Sequence, residues 1–552
     1  MSETISSVAP KALAPVEQEL HRINTSLVAG GQFLEALRQL MLLAVEHAGN
    51  AQLWLLVGLV YTRIAHWKPA IGALETALQL NPKDNQAKQL LSLALFSVGQ
   101  KEQACQLIDQ VCKQKGANSA QWMLRAYLHA HTNRDPMHAL QVARDWGKRF
   151  ADPLTRKAKP LKVQDRNPRK KLKIGYVTAD FRQHSVAFFM QPVLTHHNPD
   201  NVEVHVYSNG YADETTTQMR TLVPYWLDVM GMSDEALCEK IRQDGIDVLV
   251  DLSGFTQGHR LGVFARRAAP VQVTWLGYMH TLGMKAMDYR LVDAGIAPPS
   301  HAPHYSETLF YLKSMASYAP PAYAPLSKEP PMLRNGYPTL VSLNSSAKIT
   351  DEMLRIWAHI LHARDDARLI IMVKEDSAES ALAHMQPRVE AAGMPVDRVS
   401  VVHQQPLCNF MEMGHIADIA LDTSPISGGT TTLHTLWMGI PIVTLDGQRG
   451  VSASTARMLR GILAPCGEVA ASEQDYIDAV LELMNSVQRL QQLRHESRDR
   501  LSKSALMDYP ARTAELEKAY RFMWLNHLRG DRKNLTVNAD IGHALAEMDF
   551  SA

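Results

Sequence analysis

The stretch Gly428-Gly429-Thr430-Thr431-Thr432 sets two glycines and three hydroxyls at the start of a helical pattern. Free N–H groups at a helix N-terminus attract anions, glycine lets a phosphate come close, and hydroxyls add donors. In this order the residues can form a diphosphate cradle. A lone stretch of this kind also suits an ordinary helix cap after a tight turn. Lys348 follows an apolar run in the loop N-S-S-A-K-I-T, where an ammonium can neutralise a diphosphate leaving group. His184 closes the loop T-A-D-F-R-Q-H-S together with Asp180 and Arg182. A histidine of near-neutral pKa can take a proton from an acceptor nucleophile at pH 7.

These groups act together only if something brings them to one place. Apolar runs at 172–177, 202–207, 247–252, 271–276 and 289–292, with a helical pattern at 234–244, predict a parallel doubly wound sheet over 171–330. Runs at 339–343, 369–373, 399–402, 419–421 and 442–445 predict a second such sheet over 331–505, with Thr350 capping its first helix. Further helices are expected at 378–392, 451–463, 473–485 and 487–503. In such sheets ligands sit beyond the C-terminal ends of the strands. That rule puts Asp180, His184, Ser253, Thr256, Tyr278, His280 and Thr281 on one rim, and Lys348 with Thr430–Thr432 on the other. No D-x-D pair follows a strand, and Asp365-Asp366 reads as a solvated turn, so no metal is expected. The segment 506–552 opens with an amphipathic pattern (Leu516, Tyr520, Met523, Trp524) expected to cross back onto the first sheet.

Residues 1–152 are organised differently. The segment 51–84 fits one tetratricopeptide unit, with Trp54, Gly58, Tyr61, Ala70, Ala77 and Pro82 at the signature offsets. The pattern repeats over 17–50 and 85–118, and in degenerate form over 119–152. Such units bury their apolar faces only against one another, so a superhelix is expected. A groove for a polypeptide partner and a purely structural stack are both open, as is homo-oligomerisation. The segment 153–170 is read as a basic, solvated linker. Residues 153–173 hold nine Lys/Arg and one acid, but no aromatic side chains for base stacking.

At 552 residues with 46 % hydrophobic and 20 % charged content, the chain reads as globular with sizeable cores. A net charge of +1 gives no global pull toward nucleic acid or a membrane surface. Five scattered cysteines suggest a reducing compartment, and residues 1–19 lack a basic start followed by an apolar core. A cytoplasmic location is therefore expected.

The motifs K-I-G-Y-V-T-A-D-F-R-Q-H-S, D-G-I-D-V-L-V-D-L-S-G-F-T-Q-G, R-A-A-P-V-Q-V-T-W-L-G-Y, N-S-S-A-K-I, A-D-I-A-L-D-T and G-G-T-T-T-L-H-T-L-W-M-G-I-P-I-V-T occur in that order. They resemble the O-GlcNAc transferases, glycosyltransferase family 41, which also includes the bacterial adhesin Asn-glucosyltransferases. The resemblance spans about 171–500. It implies an inverting GT-B enzyme that uses a UDP-sugar without a metal or other cofactor, with UDP on the second sheet and the acceptor entering from the first. It implies His184 as the base or acceptor-site residue, Lys348 on the UDP phosphates, and Thr430 and Thr431 on the diphosphate. Gln404 and Pro406 fall in the loop whose backbone contacts uracil, with Phe410 at the stacking position. His434 stands where the family often has an Asp that binds the ribose hydroxyls. Leu407 and Phe410 replace family lysine and histidine side chains, and His280 would sit near the sugar. The expected reaction is transfer of N-acetylglucosamine to Ser or Thr of a polypeptide. Hexose transfer to Asn and a catalytically weak adaptor are the alternatives.

Overall fold

The computed structural model describes residues 15–530, apart from 133, 134, 164, 315, 376, 448–453, 462 and 465. The tail over 531–552 and the start of the helix expected at 451–453 lie outside the described residues.

The N-terminal part is a stack of helical hairpins. The first helices of successive hairpins start at Ala51, Asn85 and Ser119, a period of 34 residues, and their partners start at Trp67, Lys101 and Pro136. Short polar side chains set these starts: Asn50 accepts from the Leu53 N–H, Asp84 from Gln86 and Ala87, and Asp135 from Met137. Partner helices approach closely where the sequence is smallest. A Cβ on Gly58 would stand 2.5 Å from Leu74 Cγ.

Two parallel sheets follow. The first holds β1 (Leu172–Thr178), β2 (Val202–Ser208), β3 (Tyr225–Asp228), β4 (Val248–Asp251), β5 (Val271–Thr274), β6 (Tyr289–Asp293) and β7 (Thr308–Leu312), in the order β3-β2-β1-β4-β5-β6-β7. The second holds β8 (Thr339–Ser342), β9 (Arg368–Met372), β10 (Val399–Val402), β11 (Ile419–Leu421), β12 (Ile442–Leu445) and β13 (Gly467–Ala470), in the order β10-β9-β8-β11-β12-β13. Central strands are covered on both faces and therefore read as apolar runs. The strands missing from the expectation, β3, β7 and β13, are all sheet edges. In β3, Tyr225 and Asp228 are exposed, so no apolar run marks it.

The helix Tyr509–Arg529 returns to the first sheet, as its pattern predicts. Leu516, Tyr520, Met523 and Trp524 are buried among Ile174, Tyr176 and Val248. Its Glu517 accepts from the Asn198 N–H at 2.7 Å and pairs with His197 Nδ1 at 2.9 Å.

The basic linker is not a free connector. Lys170 pairs with Asp247 at 2.6 Å and lies over the Trp524 ring. Arg166 donates to the Leu528 carbonyl, and Arg521 donates to that of Pro168. The positive charge expected to be solvated straps the first lobe to the C-terminal helix.

The hairpin stack rests on both lobes. Trp146 meets Phe255 edge-on at 5.1 Å, and Tyr127 stacks on Tyr278 at 6.2 Å. On the other lobe, Ser346 Oγ donates to the Ser97 carbonyl at 3.4 Å, and His384 Nε2 lies 3.4 Å from the Val98 carbonyl.

Candidate active site

In each sheet the strand order reverses at a central pair, β1/β4 in the first and β8/β11 in the second. Loops leaving the strand ends on either side of such a pair diverge and open a crevice. Asp180 and His184 leave β1, and Ser253 and Thr256 leave β4. Lys348 leaves β8, and the Gly428–Thr432 turn follows β11. The residues singled out for chemistry thus arise from the loops at the two switch points.

Asp422, at the end of β11, shapes the turn. Its Oδ1 accepts from the Gly428 N–H at 2.8 Å and from Asn344 at 3.1 Å, and its Oδ2 accepts from Thr444 at 2.7 Å. The first lobe repeats the device: Asp251 accepts from the Ser253 and Gly254 N–H groups and from Thr274 of the next strand. The two glycines of the turn do different things. A Cβ on Gly428 would lie 2.2 Å from Thr432 Oγ1, whereas a Cβ on Gly429 would meet nothing within 4 Å. Gly429 is the N-cap of the helix Thr430–Trp437, and no side chain caps that end. The first N–H groups of the helix therefore look out over open space, with Thr430 and Thr431 half-buried beside them. Thr432 departs from expectation. Its hydroxyl is buried and bonded to Thr455 Oγ1 at 2.8 Å, so it braces the turn from behind.

Lys348 Nζ donates to the Ser427 carbonyl at 2.9 Å, which places the ammonium against the same turn. Burial holds it below the ordinary lysine range, against the opposing pull of Asp422.

Across the cleft, His184 is the N-cap of the helix Ser185–His196, and its Nδ1 accepts from the Val186 N–H at 3.3 Å. That leaves the neutral ring's proton on Nε2. Burial, with the Arg182 and Lys374 charges, pushes its pKa down to about 4. Where a near-neutral pKa was expected, burial keeps the His184 ring neutral at pH 7. Asp180 lies beside it, with Oδ1 at 3.7 Å from His184 Nδ1 and 3.7 Å from Arg182. It is 4 % exposed, and its Oδ2 has no hydrogen-bond partner among the described residues. Burial raises its pKa to about 6, with Asp251 adding to the rise and Arg182 and Lys374 opposing it. Lys374, whose charge lowers the pKa of both groups, follows β9 of the second lobe. One turn into each helix, Phe188 meets His434 edge-on at 4.9 Å.

His434 is buried, with Nδ1 2.6 Å from Tyr318 Oη and with Phe188 and Phe410 around its ring. Burial pushes its pKa down to about 4. Its ring is thus packed between Phe188 of the first lobe and Phe410 of the second, with Nδ1 taken by Tyr318. Phe410 is half-buried on the same cluster. Gln404 and Pro406 are exposed on the loop after β10, with the Gln404 N–H bonded to the Glu375 carbonyl at 2.8 Å.

The other first-lobe residues expected on this rim are held by local packing and hydrogen bonds. Tyr278 is buried under the hairpin stack, between Tyr127, His131 and Phe255. His280 packs edge-on against His131 at 5.0 Å. Thr281 is buried and donates to Glu307 at 2.7 Å, and Thr256 bonds back to the Ser253 carbonyl at 2.8 Å. After β5 the chain runs against the repeats. Sequence reasoning missed Lys374 and the bracing pair Thr455 and Asn344. A lysine directly after a strand was the available signal for Lys374.

Two parallel nucleotide-fold sheets facing across a cleft, each with its working loops at a switch point, define the GT-B class. The family model described as "Glycosyl transferase family 41" matches residues 154–318 and 338–516, and the chain belongs to that family. It is 35 % identical over 408 residues to a probable UDP-N-acetylglucosamine–peptide N-acetylglucosaminyltransferase SPINDLY of Solanum lycopersicum, covering 72 % of this chain and 43 % of that protein. Identity to the SEC protein of Arabidopsis thaliana, of the same description, is 28 % over 419 residues, covering 72 % of this chain and 42 % of that protein. The chain thus spans less than half the length of these curated relatives. A solved structure of a lysine-to-methionine mutant of Thermobaculum terrenum O-GlcNAc transferase superposes with a TM-score of 0.85 at 31 % identity, covering 94 % of this chain and all of that one.

Proposed function

We propose that this protein is an inverting, metal-independent protein glycosyltransferase that moves a sugar, N-acetylglucosamine in the first instance, from a UDP-sugar to Ser or Thr of a polypeptide. The observation that carries this reading is the Lys348 ammonium seated against the uncapped Gly428–Thr431 turn, with the Asp180–His184 pair on the opposing rim.

Glycosyl transfer passes through an oxocarbenium-like state. As the bond from the anomeric carbon to the phosphate oxygen breaks, negative charge grows on the leaving UDP. Lys348 and the free N–H groups of the Thr430–Trp437 helix stabilise that charge without a cation. The acceptor hydroxyl attacks from the opposite face, and its proton passes to the Asp180–His184 pair. In this reading Asp180, with the raised pKa, is the stronger proton acceptor. The His184 Nε2–H orients the acceptor or the sugar. The tetratricopeptide-type hairpins bind the acceptor polypeptide, and the protein works in the cytoplasm. Among the described residues no helix is long and apolar enough to cross a membrane.

Incubation with UDP-GlcNAc or UDP-glucose and a peptide library, in chelator, followed by mass spectrometry of the modified atom, tests the proposal. Sugar on Ser or Thr oxygen from UDP-GlcNAc is expected. Modified Asn from UDP-glucose would move the protein to the hexosyltransferase reading, and no turnover with either donor would refute the activity.

A further inference from the structure

We propose that Lys101, a residue of the helical hairpins, belongs to the donor site, where its ammonium and that of Lys348 jointly receive the diphosphate of the nucleotide sugar. The inference rests on the donor reading above and adds to it a group from outside the two lobes.

Lys101 is the first residue of the helix Lys101–Lys113 and is 6 % exposed. Its Nζ is buried and has no hydrogen-bond partner among the described residues. The aromatic face nearest to it is Phe96, at 5.9 Å from the ring centroid, the outer limit of a useful cation–π contact. A lysine is rarely buried to this degree without an anion. Its surroundings make the position harder to hold. Lys348 and Arg388 both press on its charge, and of the neighbouring acids only Glu102 opposes them appreciably. Arg388 is already paired with Asp351 at 2.7 Å, and among the described residues Lys348 is bonded to the Ser427 carbonyl alone. Burial together with these cations pushes the Lys101 pKa down to about 8.

The backbone explains how a repeat residue arrives there. The turn that precedes Lys101 docks on the segment that carries Lys348, through Ser346 Oγ and the Ser97 carbonyl. Gly99 in that turn sits against the Arg388 guanidinium. Both ammonium groups are buried where the hairpins dock on the second lobe, and among the described residues neither is hydrogen-bonded to a carboxylate. A diphosphate supplies the missing charge, because each of its phosphates can accept a charge-assisted hydrogen bond. A single carboxylate of an acceptor peptide would answer one ammonium but not both.

The test is calorimetric titration of UDP and of uridine into the full chain, as wild type, Lys101→Met, Lys101→Arg and Lys348→Met, with melting followed in parallel. We expect Lys101→Met to weaken UDP binding about tenfold or more, Lys101→Arg to retain most of it, and uridine binding to be unchanged. The melting temperature of ligand-free Lys101→Met should stay level or rise, since an unpaired buried charge is removed. Unchanged UDP affinity in Lys101→Met would overturn the assignment while leaving the donor reading intact. Weaker binding of an acidic peptide in that variant, with UDP unaffected, would overturn it in favour of a polypeptide carboxylate. Failure of the wild type to bind UDP would remove the donor reading and this inference together. Should Lys101→Met fold poorly, the comparison of Lys101→Arg with Lys101→Gln decides in the same way.

Discussion

Alanine at Gly428 puts a methyl carbon 2.2 Å from Thr432 Oγ1 and 3.3 Å from Asp422 Oδ1, and one of them must move. Asp422 is held from three sides, so Thr432 yields and its 2.8 Å bond to Thr455 is lost. Overpacking costs about 1–3 kcal/mol and the hydrogen bond about 1 kcal/mol, giving roughly 2–4 kcal/mol. For a lobe of this size that lowers the melting temperature by roughly 5–15 °C. The neighbouring substitution separates stability from binding. A Cβ on Gly429 meets nothing within 4 Å, so Gly429→Ala should melt within about 1–2 °C of wild type. Its methyl nevertheless stands over the free N–H groups, and UDP affinity should fall about tenfold, or ~1.4 kcal/mol. Scanning calorimetry of both variants, followed by UDP titration, measures the two effects. If Gly429→Ala binds UDP as tightly as wild type, the turn does not seat the diphosphate. If Gly428→Ala melts like wild type, the bracing role of Thr432 is wrong.

Three further outcomes are expected. Asp180 has a folded-state pKa near 6, above the ordinary carboxylate value, so the folded chain holds that proton more tightly. Its contribution to stability is largest below about pH 4 and is lost as pH rises toward 6, on the order of 2–3 kcal/mol. Asp180→Asn should therefore melt higher than wild type at pH 7.5 and turn over more slowly. Its kcat/KM profile should also lose the rise near pH 6, and a retained rise would clear Asp180 of proton transfer. His184→Ala should lower kcat roughly 100-fold with UDP affinity kept, yet leave that rise in place; a profile that loses it would restore His184 as the titrating base. The Glu517 carboxyl is held below its ordinary range by His197, the Asn198 N–H and Asn201. The stability it adds is present above the ordinary carboxylate value and is lost as pH falls through the lowered one. Glu517→Gln should cost about 2–4 kcal/mol at pH 7 and progressively less as pH falls through the lowered carboxyl value, a convergence that acid-series melts would show or refute.

The parts of this fold legible in the sequence are those where one physical demand dominates. Buried central strands must be apolar on both faces, and the repeat period of the hairpins survives because every unit solves the same packing problem. The edge strands escaped because an edge such as β3 carries Tyr225 and Asp228 into solvent. At the site, the switch-point rule located Lys348, Asp180, His184 and the glycine turn, since it depends only on strand order. It said nothing of where a side chain points. Thr432 carries the same hydroxyl as Thr430 but lies on the inner side of the turn, and Tyr278 and His280 follow a strand yet pack on the repeats. The low pKa of His184 was invisible because it arises chiefly from burial in the folded chain, with Arg182 and Lys374 of the other lobe adding to it. Lys101 was beyond reach for the same reason, since the charges that define it stand at positions 348 and 388.

The seating of the hairpins on both lobes has a thermodynamic consequence. A body that touches both walls of a crevice cannot flex without altering the width of the opening. If a ligand in the crevice and a ligand on the hairpins both bind, linkage requires that any change one makes in the other's affinity be returned by the same factor. Whatever its sign, such a coupling would be felt equally at the crevice and at the hairpins.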